Sequence, residues 1–193
     1  LENWSKHMTP KGPINVVGNA QSLFDKTYGS LIDQHTTIRF NYIADLVPEI
    51  QGTRWDYMAT SNPREIRRWN GEDELPFKAY FFTTWAETEK KYIKARKPEF
   101  MSVPLYEIPD EIWMEAQRET KKRPSSGIMV LYTLYKLGIK DVNIFGFDWK
   151  NTPTYYNVDN PTKESGESKM HDYEDERNIA LRLIDEMDWT LYQ

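Results

Sequence analysis

The feature that most constrains this chain is an early pair of β-branched runs. Residues 14–17 (INVV) stop at Gly18-Asn19, and residues 36–43 (TTIRFNYI) are again β-branched and aromatic. Runs of this kind read as strands, and the stretch between them holds one helix, which Ser22, three residues before Asp25, is placed to cap and which runs through about Ile32. Strand, tight turn, helix and strand make a βαβ unit, whose crossover is right-handed and whose strands are parallel. Sheets of this type take ligands beyond the carboxyl ends of their strands. Here those ends carry Gly18, Asn19 and Asn41.

The rest of the chain extends the same alternation. Residues 55–59 and 77–83 are strand candidates, residues 64–69 start a helix that Asn70-Gly71 ends, and residues 86–97 and 110–122 read as two half-exposed helices, the first with Glu87 and Lys91 at i,i+4 spacing. Pro124-Ser125-Ser126-Gly127 opens a helix over residues 128–137, Gly138 closes it, and residues 141–147 form a strand. A long polar loop occupies residues 151–169. A last helix over residues 174–187 places Ile179, Leu183, Ile184 and Met187 on one face, with Asp172 as its cap. His7-Met8 looks like the junction an expression vector leaves, so residues 1–8 are set aside and residues 9–193 are read as a single domain. No apolar run of ~18 residues and no secretory signal is present, and the cytoplasm is the default compartment. The absence of cysteine excludes a disulfide scaffold, a thiolate nucleophile and cysteine metal sites. A net charge of -5 supplies no global pull toward nucleic acid.

Common site signatures are missing: no G-x-G-x-x-G after the first strand, no Walker loop, no H-E-x-x-H, no G-x-S-x-G and no D-x-D. Pro124-Ser125-Ser126-Gly127 offers hydroxyls, an approachable backbone and free N–H groups at the positive end of a helix dipole, which suits an anion and equally suits ordinary N-capping. His171 lies beside a capped helix start, where imidazolium is disfavoured and a neutral ring is ready to accept a proton. The acids Asp172, Glu174, Asp175 and Glu176 are what a helix dipole alone attracts to a first turn, so they are not read as metal ligands.

Three segments, in order, resemble one family. Residues 16–41 (VVGNAQSLFDKTYGSLIDQHTTIRFN) resemble the large sialyl motif of the eukaryotic-type sialyltransferases, glycosyltransferase family 29, with Gly18, Asn19, Leu23, Gly29, Ile32, Asp33, Arg39 and Asn41 at the motif's spacing. Residues 123–148 (RPSSGIMVLYTLYKLGIKDVNIFGFD) resemble the small motif, and residues 171–176 (HDYEDE) the very small motif, H-x-x-x-x-E. The resemblance implies a single Rossmann-like α/β domain of the glycosyltransferase-A type without the D-x-D metal site, a mostly parallel sheet flanked by helices, and no metal or other cofactor beyond the nucleotide-sugar co-substrate. It also implies a CMP-activated donor and an inverting displacement. On that mapping Gly18, Asn19 and Asn41 contact the nucleotide and phosphate; Ser125, Ser126 and Gly127 hold the donor's phosphate or carboxylate; Tyr155 and Tyr156 join them from the loop; and His171 deprotonates the acceptor.

Departures from the family pattern shape the remaining expectations. The cysteine pair and the amino-terminal anchor are absent, which points to a soluble bacterial or viral relative. The third motif survives only as Thr154-Tyr155-Tyr156-Asn157, with threonine for histidine, and Ala20 replaces serine. These changes leave the donor open to another nucleotide or a neutral sugar such as a pentose. The acceptor is expected to be a saccharide. The alternatives are a phage-type enzyme that glycosylates a hydroxymethylated DNA base and a non-catalytic nucleotide- or glycan-binding module. The DNA reading rests on Arg64, Arg67 and Arg68, on Lys90, Lys91, Lys94, Arg96 and Lys97, and on Lys121, Lys122 and Arg123.

Overall fold

The computed structural model describes residues 12–41, 46–62, 75–84, 91, 103–152, 154–155 and 170–193. Within them the strands are β1 (Ile14–Val17), β2 (Thr36–Phe40), β3 (Tyr57–Thr60), β4 (Ala79–Phe82), β5 (Leu105–Glu107), β6 (Val142–Phe145) and β7 (Thr190–Tyr192). They form one sheet in the order β5-β4-β3-β2-β1-β6-β7, and every strand pairing is parallel. The expected β1–β2 pair is present, with Ile14 opposite Thr36 and Val17 opposite Arg39. From β1 the chain works outward through β2 to β5 and then returns to β6 on the other side of β1. The strand order therefore reverses between β1 and β6, and the crevice outside their carboxyl ends is where such a sheet takes a ligand.

Helices α1 (Gly29–Ile32), α2 (Pro48–Gln51), α3 (Asp110–Thr120), α4 (Ser126–Lys136) and α5 (Tyr173–Met187) cover the sheet. Strand side chains alternate between two apolar faces. Val16, Ile38, Tyr57, Phe81 and Ile144 meet Trp113 of α3, the Ile128 to Leu134 stretch of α4 and Leu183 of α5 in the largest core cluster. On the other face Val17 and Phe145 pack with Ile32 and Leu23, and Met58 and Tyr80 pack with Trp55 and Phe77. Arg39 shares this second face and is fully buried. Its guanidinium donates to the carbonyls of Arg54 (3.0 Å) and Gln51 (2.6 Å), tying down the segment between α2 and β3. Burial lowers its pKa to about 10.

Two sequence expectations are corrected here. Ser22 caps no helix. A 3-10 turn, Gln21–Asp25, begins after Ala20, α1 follows as a separate short helix, and the Ser22 hydroxyl donates to Asp148 at 3.0 Å. Strands β5 and β7 and helix α2 were not legible in the sequence. The end of α4 is as expected: Gly138 N–H donates to Tyr135 and Ile139 N–H to Leu134, closing the helix in a Schellman arrangement. Asp172 caps α5, accepting from Asp175 N–H at 3.2 Å. The expectations for residues 1–8, for the helix over 64–69, for all but residue 91 of the helix over 86–97, and for most of the 151–169 loop lie outside the described residues. Among the described residues no helix is long and apolar enough to cross a membrane.

Candidate functional site

The crossing at the switch point is made by two glycines. Gly18 N–H donates to Phe145 at 2.8 Å, and Ala20 N–H to Gly146 at 3.2 Å, so the chains leaving β1 and β6 run in contact. A Cβ on Gly18 would lie 2.4 Å from the Gly146 carbonyl oxygen, and one on Gly146 would lie 2.8 Å from that of Gly18. Gly146 also has φ +64°, in the left-handed region. The ring of Phe147 fills the space beside both Gly18 and Gly127. Phe147 thus occupies the position that a side chain on Gly127 would take.

Around this crossing the strand ends carry a belt of polar groups. Asn19 Nδ2 donates to the Phe40 carbonyl at 3.0 Å, which fixes the amide's orientation because a carbonyl only accepts. Asn19 Oδ1 is buried and has no hydrogen-bond partner among the described residues. Leaving such an acceptor unsatisfied costs roughly 1–3 kcal/mol. Asn41, after β2, takes a left-handed conformation (φ 58°) that asparagine tolerates, and its Oδ1 accepts from the Thr60 hydroxyl at 3.0 Å. After β4 the Thr83 hydroxyl lies 2.8 Å from Ser126 Oγ, and Arg123 reaches Thr84 Oγ1 at 3.3 Å.

His171 closes the belt from the side of α5. Its side chain is 15% exposed, and Nδ1 lies 2.6 Å from the Arg123 carbonyl oxygen. That oxygen only accepts, so Nδ1 carries the hydrogen and the neutral ring keeps its lone pair on Nε2. The ring lies 5.7 Å from that of Tyr173, and the Lys150 ammonium sits 5.9 Å over the Tyr173 ring. Lys150 Nζ in turn donates to Thr154 Oγ1 at 2.8 Å. Thr154 forms an isolated antiparallel bridge with Ala20, and Tyr155 N–H donates to the Asn19 carbonyl at 3.0 Å. A chain of contacts through Tyr173, Lys150 and Thr154 therefore runs from His171 to the turn that carries Asn19. The Tyr155 ring packs on Phe24 at 5.2 Å and forms wall, while Tyr156 lies outside the described residues.

The start of α4 does hold an anion, and the anion is the protein's own. Ser125 N–H donates to Glu176 Oε1 at 2.7 Å and the Ser125 hydroxyl to Oε2 at 2.5 Å. Ser125, expected to hold the donor's phosphate or carboxylate, is thus engaged by Glu176, and Ser126 lies beside Thr83. Glu176 is 2% exposed, and burial pushes its pKa up to about 7 against the two Ser125 hydrogen bonds, with the Asp172 charge adding to the rise. The bland reading of Glu176 as a first-turn acid missed this. The H-x-x-x-x-E spacing was the available signal, since it sets the carboxylate one turn into the helix that His171 precedes.

The neighbouring acids are committed differently. Asp172 caps α5 and lies 3.7 Å from Lys122, and Asp175 pairs with Lys121 at 3.0 Å. Lys121 and Lys122 are thus each paired with an acid, while Arg123 and Lys91, of the same expected basic face, are also among the described residues. Arg64, Arg67, Arg68, Lys90, Lys94, Arg96 and Lys97 lie outside the described residues.

Comparison with known proteins agrees with this geometry. The profile of glycosyltransferase family 29 (sialyltransferase) matches residues 69–187. No curated protein matches the chain in sequence. Among solved structures, a mammalian sialyltransferase in complex with Gal-beta-1-3GalNAc-ortho-nitrophenol is similar over 97% of this chain and 71% of its own, with a TM-score of 0.66 and 18% identity. The sialyltransferase CstII from Campylobacter jejuni, in complex with cytidine-5'-monophosphate, is similar over 95% of this chain and 80% of its own, with a TM-score of 0.64 and 14% identity. An apo alpha-2,3-sialyltransferase from Campylobacter jejuni gives 0.60 at 16% identity, over 96% of this chain and 76% of its own. At these identities the structures speak for the fold, and the profile speaks for the family. The chain belongs to glycosyltransferase family 29, the sialyltransferases, and is a glycosyltransferase.

Proposed function

We propose that the crevice binds a CMP-linked sugar and transfers the sugar to a saccharide hydroxyl by a single inverting displacement that needs no metal ion. The observation that carries this reading is the tautomer of His171: with Nδ1–H on the Arg123 carbonyl, the lone pair of the neutral ring is on Nε2, which we take as the proton acceptor. In the step proposed, Nε2 takes the proton of the acceptor hydroxyl as that oxygen bonds to the anomeric carbon. The opposite bond, from that carbon to the phosphate oxygen, breaks, and its electron pair leaves with the nucleoside monophosphate. Asn19 and Asn41 face the nucleotide, Asn19 offering its unpartnered Oδ1 to a ligand N–H or O–H. Ser126 with Thr83 offers hydroxyls near the donor. Glu176 acts as a positioning residue, tying the start of α4 to the helix that His171 precedes.

Support for the cytidine nucleotide and the glycan acceptor comes from the ligands held by the structurally similar sialyltransferases. Support for metal independence comes from the acids nearest His171, since Asp172, Asp175 and Glu176 are each engaged by a cap, a lysine or a serine. A thermal-shift panel of nucleoside monophosphates and nucleotide sugars tests the reading. A ligand at ~100 times its dissociation constant adds ~2.7 kcal/mol, a shift that is readily seen. A cytidine-selective shift followed by release of CMP in the presence of a galactoside is the expected result. No shift with any nucleotide overturns it.

A further inference from the structure

A second cleft opens on the other side of the Gly18–Gly146 crossing. Its volume is about 310 Å³, at the small end of the roughly 300–1,000 Å³ usual for ligand sites. Gly146 and Phe147 belong to both the crossing and the cleft, but none of Asn19, Asn41, Ser126 and His171 lines it. Its aromatic wall, Tyr28 and Tyr192, packs with Leu23, Ile32 and Phe145 on the α1 side of the sheet, whereas α4 and α5 cover the opposite side.

Both walls are held before any ligand arrives. On one, the Tyr192 ring stacks on Phe145 at 4.5 Å, Tyr28 meets both rings edge-on at 5.5 Å, and the Tyr28 hydroxyl donates to the Gln193 carbonyl at 3.0 Å. On the other, Asp148 Oδ2 accepts from the Ser22 hydroxyl and from Thr152 N–H, both at 3.0 Å, and from the Thr152 hydroxyl, while Ser22 N–H donates to Thr152 Oγ1 at 3.1 Å. These bonds lock the 3-10 turn onto the turn after β6, whose Trp149 and Lys150 take positive φ of 52° and 66°. The wall so locked presents Asp25, Lys26 and Asn151, all exposed, whose side chains make no hydrogen bond or ion pair among the described residues.

We infer that this cleft binds a neutral pyranose unit of a saccharide, at a site separate from the reacting crevice. The inference goes beyond the donor and acceptor reading above and does not depend on it. An aromatic wall opposite a carboxylate, an ammonium and an amide suits a molecule that is apolar on one face and hydroxylated around its edge. A pyranose is built that way: its axial C–H groups form a face that lies on an aromatic ring, and its hydroxyls both donate and accept. Asp25 accepts, Lys26 donates and the Asn151 amide does both, so neighbouring hydroxyls of one sugar find partners of the right kind. Charge selects a neutral sugar. Asp25 and Asp148 are the acids among the described lining residues and Lys26 the one base, so an anionic sugar meets net repulsion. With both walls already ordered, binding has little further ordering cost to overcome.

The test is a titration followed by the backbone amide NMR signals of isotope-labelled protein. Methyl β-galactoside, methyl β-glucoside and methyl α-mannoside are added in turn, with N-acetylneuraminic acid as the anionic comparison. At least one neutral glycoside should shift the amides of Lys26, Asn151, Thr152 and Tyr192 together and saturably, with a dissociation constant in the millimolar range, and N-acetylneuraminic acid should bind there more weakly. Asp25→Ala and Asn151→Ala, at exposed positions, should keep the parent's melting temperature and each lose roughly twofold to tenfold in affinity, the range of one hydrogen bond, while His171→Ala binds the glycoside as the parent does. No saturable shift at these amides with any glycoside overturns the inference, as does parent-like affinity in both variants or tighter binding of N-acetylneuraminic acid. Shifts confined to the amides of Ser126 and His171 also overturn it, and place the saccharide in the crevice instead. The nucleotide panel reads the donor site independently, so either result can fail without the other.

Discussion

Glu176→Gln separates the electrostatics of the buried carboxylate from its geometry. In the folded chain the Glu176 pKa rises from 4.5 to about 7, chiefly because burial disfavours the charged form. Between those values the native state holds a proton that the unfolded state has released, so stability falls as pH rises through this window and levels off above about pH 7. At 1.36 kcal/mol per pKa unit, the shift amounts to about 3 kcal/mol of stability present at pH 4.5 and absent at pH 8. Glutamine matches the protonated carboxyl in shape and keeps an acceptor for Ser125 N–H. Urea denaturation followed by tryptophan fluorescence, at pH 5, 6, 7 and 8, gives the stability difference between parent and variant, in which titrations shared by the two chains cancel. The parent should match the variant near pH 5 and fall behind it by about 3 kcal/mol at pH 8. A difference independent of pH would refute a raised pKa, and a difference growing in the opposite direction would show that the Ser125 hydrogen bonds outweigh burial.

Other outcomes follow from the same geometry. His171→Ala should lower turnover ~10²–10⁴-fold with donor affinity little changed, and His171→Asn should fail to restore it; steady-state kinetics with donor titration separates the two quantities. Asn19→Ala should weaken nucleotide binding while the melting temperature of the unliganded protein stays close to the parent's, since the orphaned Oδ1 goes with the side chain. Gly146→Ala should destabilise the fold by about 2–4 kcal/mol, from a strained φ and a contact of 2.8 Å with backbone, as read by denaturant midpoint. Turnover in excess EDTA should equal turnover without it; a loss restored by magnesium or manganese would return Asp172, Asp175 and Glu176 to the role of ligands.

What the sequence disclosed depended on how local each signal was. β1, β2 and α4 announce themselves because β-branched runs and a glycine stop are carried by adjacent residues, and the three motif segments lie in the order that the site uses. β5 and β7 are three residues each at the sheet edges, too short to show a period. Ser22 looked like a cap because its real partner, Asp148, is far along the chain. Glu176 was hidden by a coincidence of chemistry, since an acid in a first helical turn satisfies the helix dipole whether or not a second helix ends on top of it.

The Ser125–Glu176 contact bears on how such a chain can be recombined. One carboxyl closes the amino end of α4 and belongs to the first turns of α5, although the two segments are widely separated along the chain. A chimaera that exchanges residues 123–128 with a distant relative while keeping residues 171–176 would pair a serine fitted to one carboxylate with another that sits elsewhere. Exchanged together, the two segments travel as a unit, so their natural crossover points lie outside both.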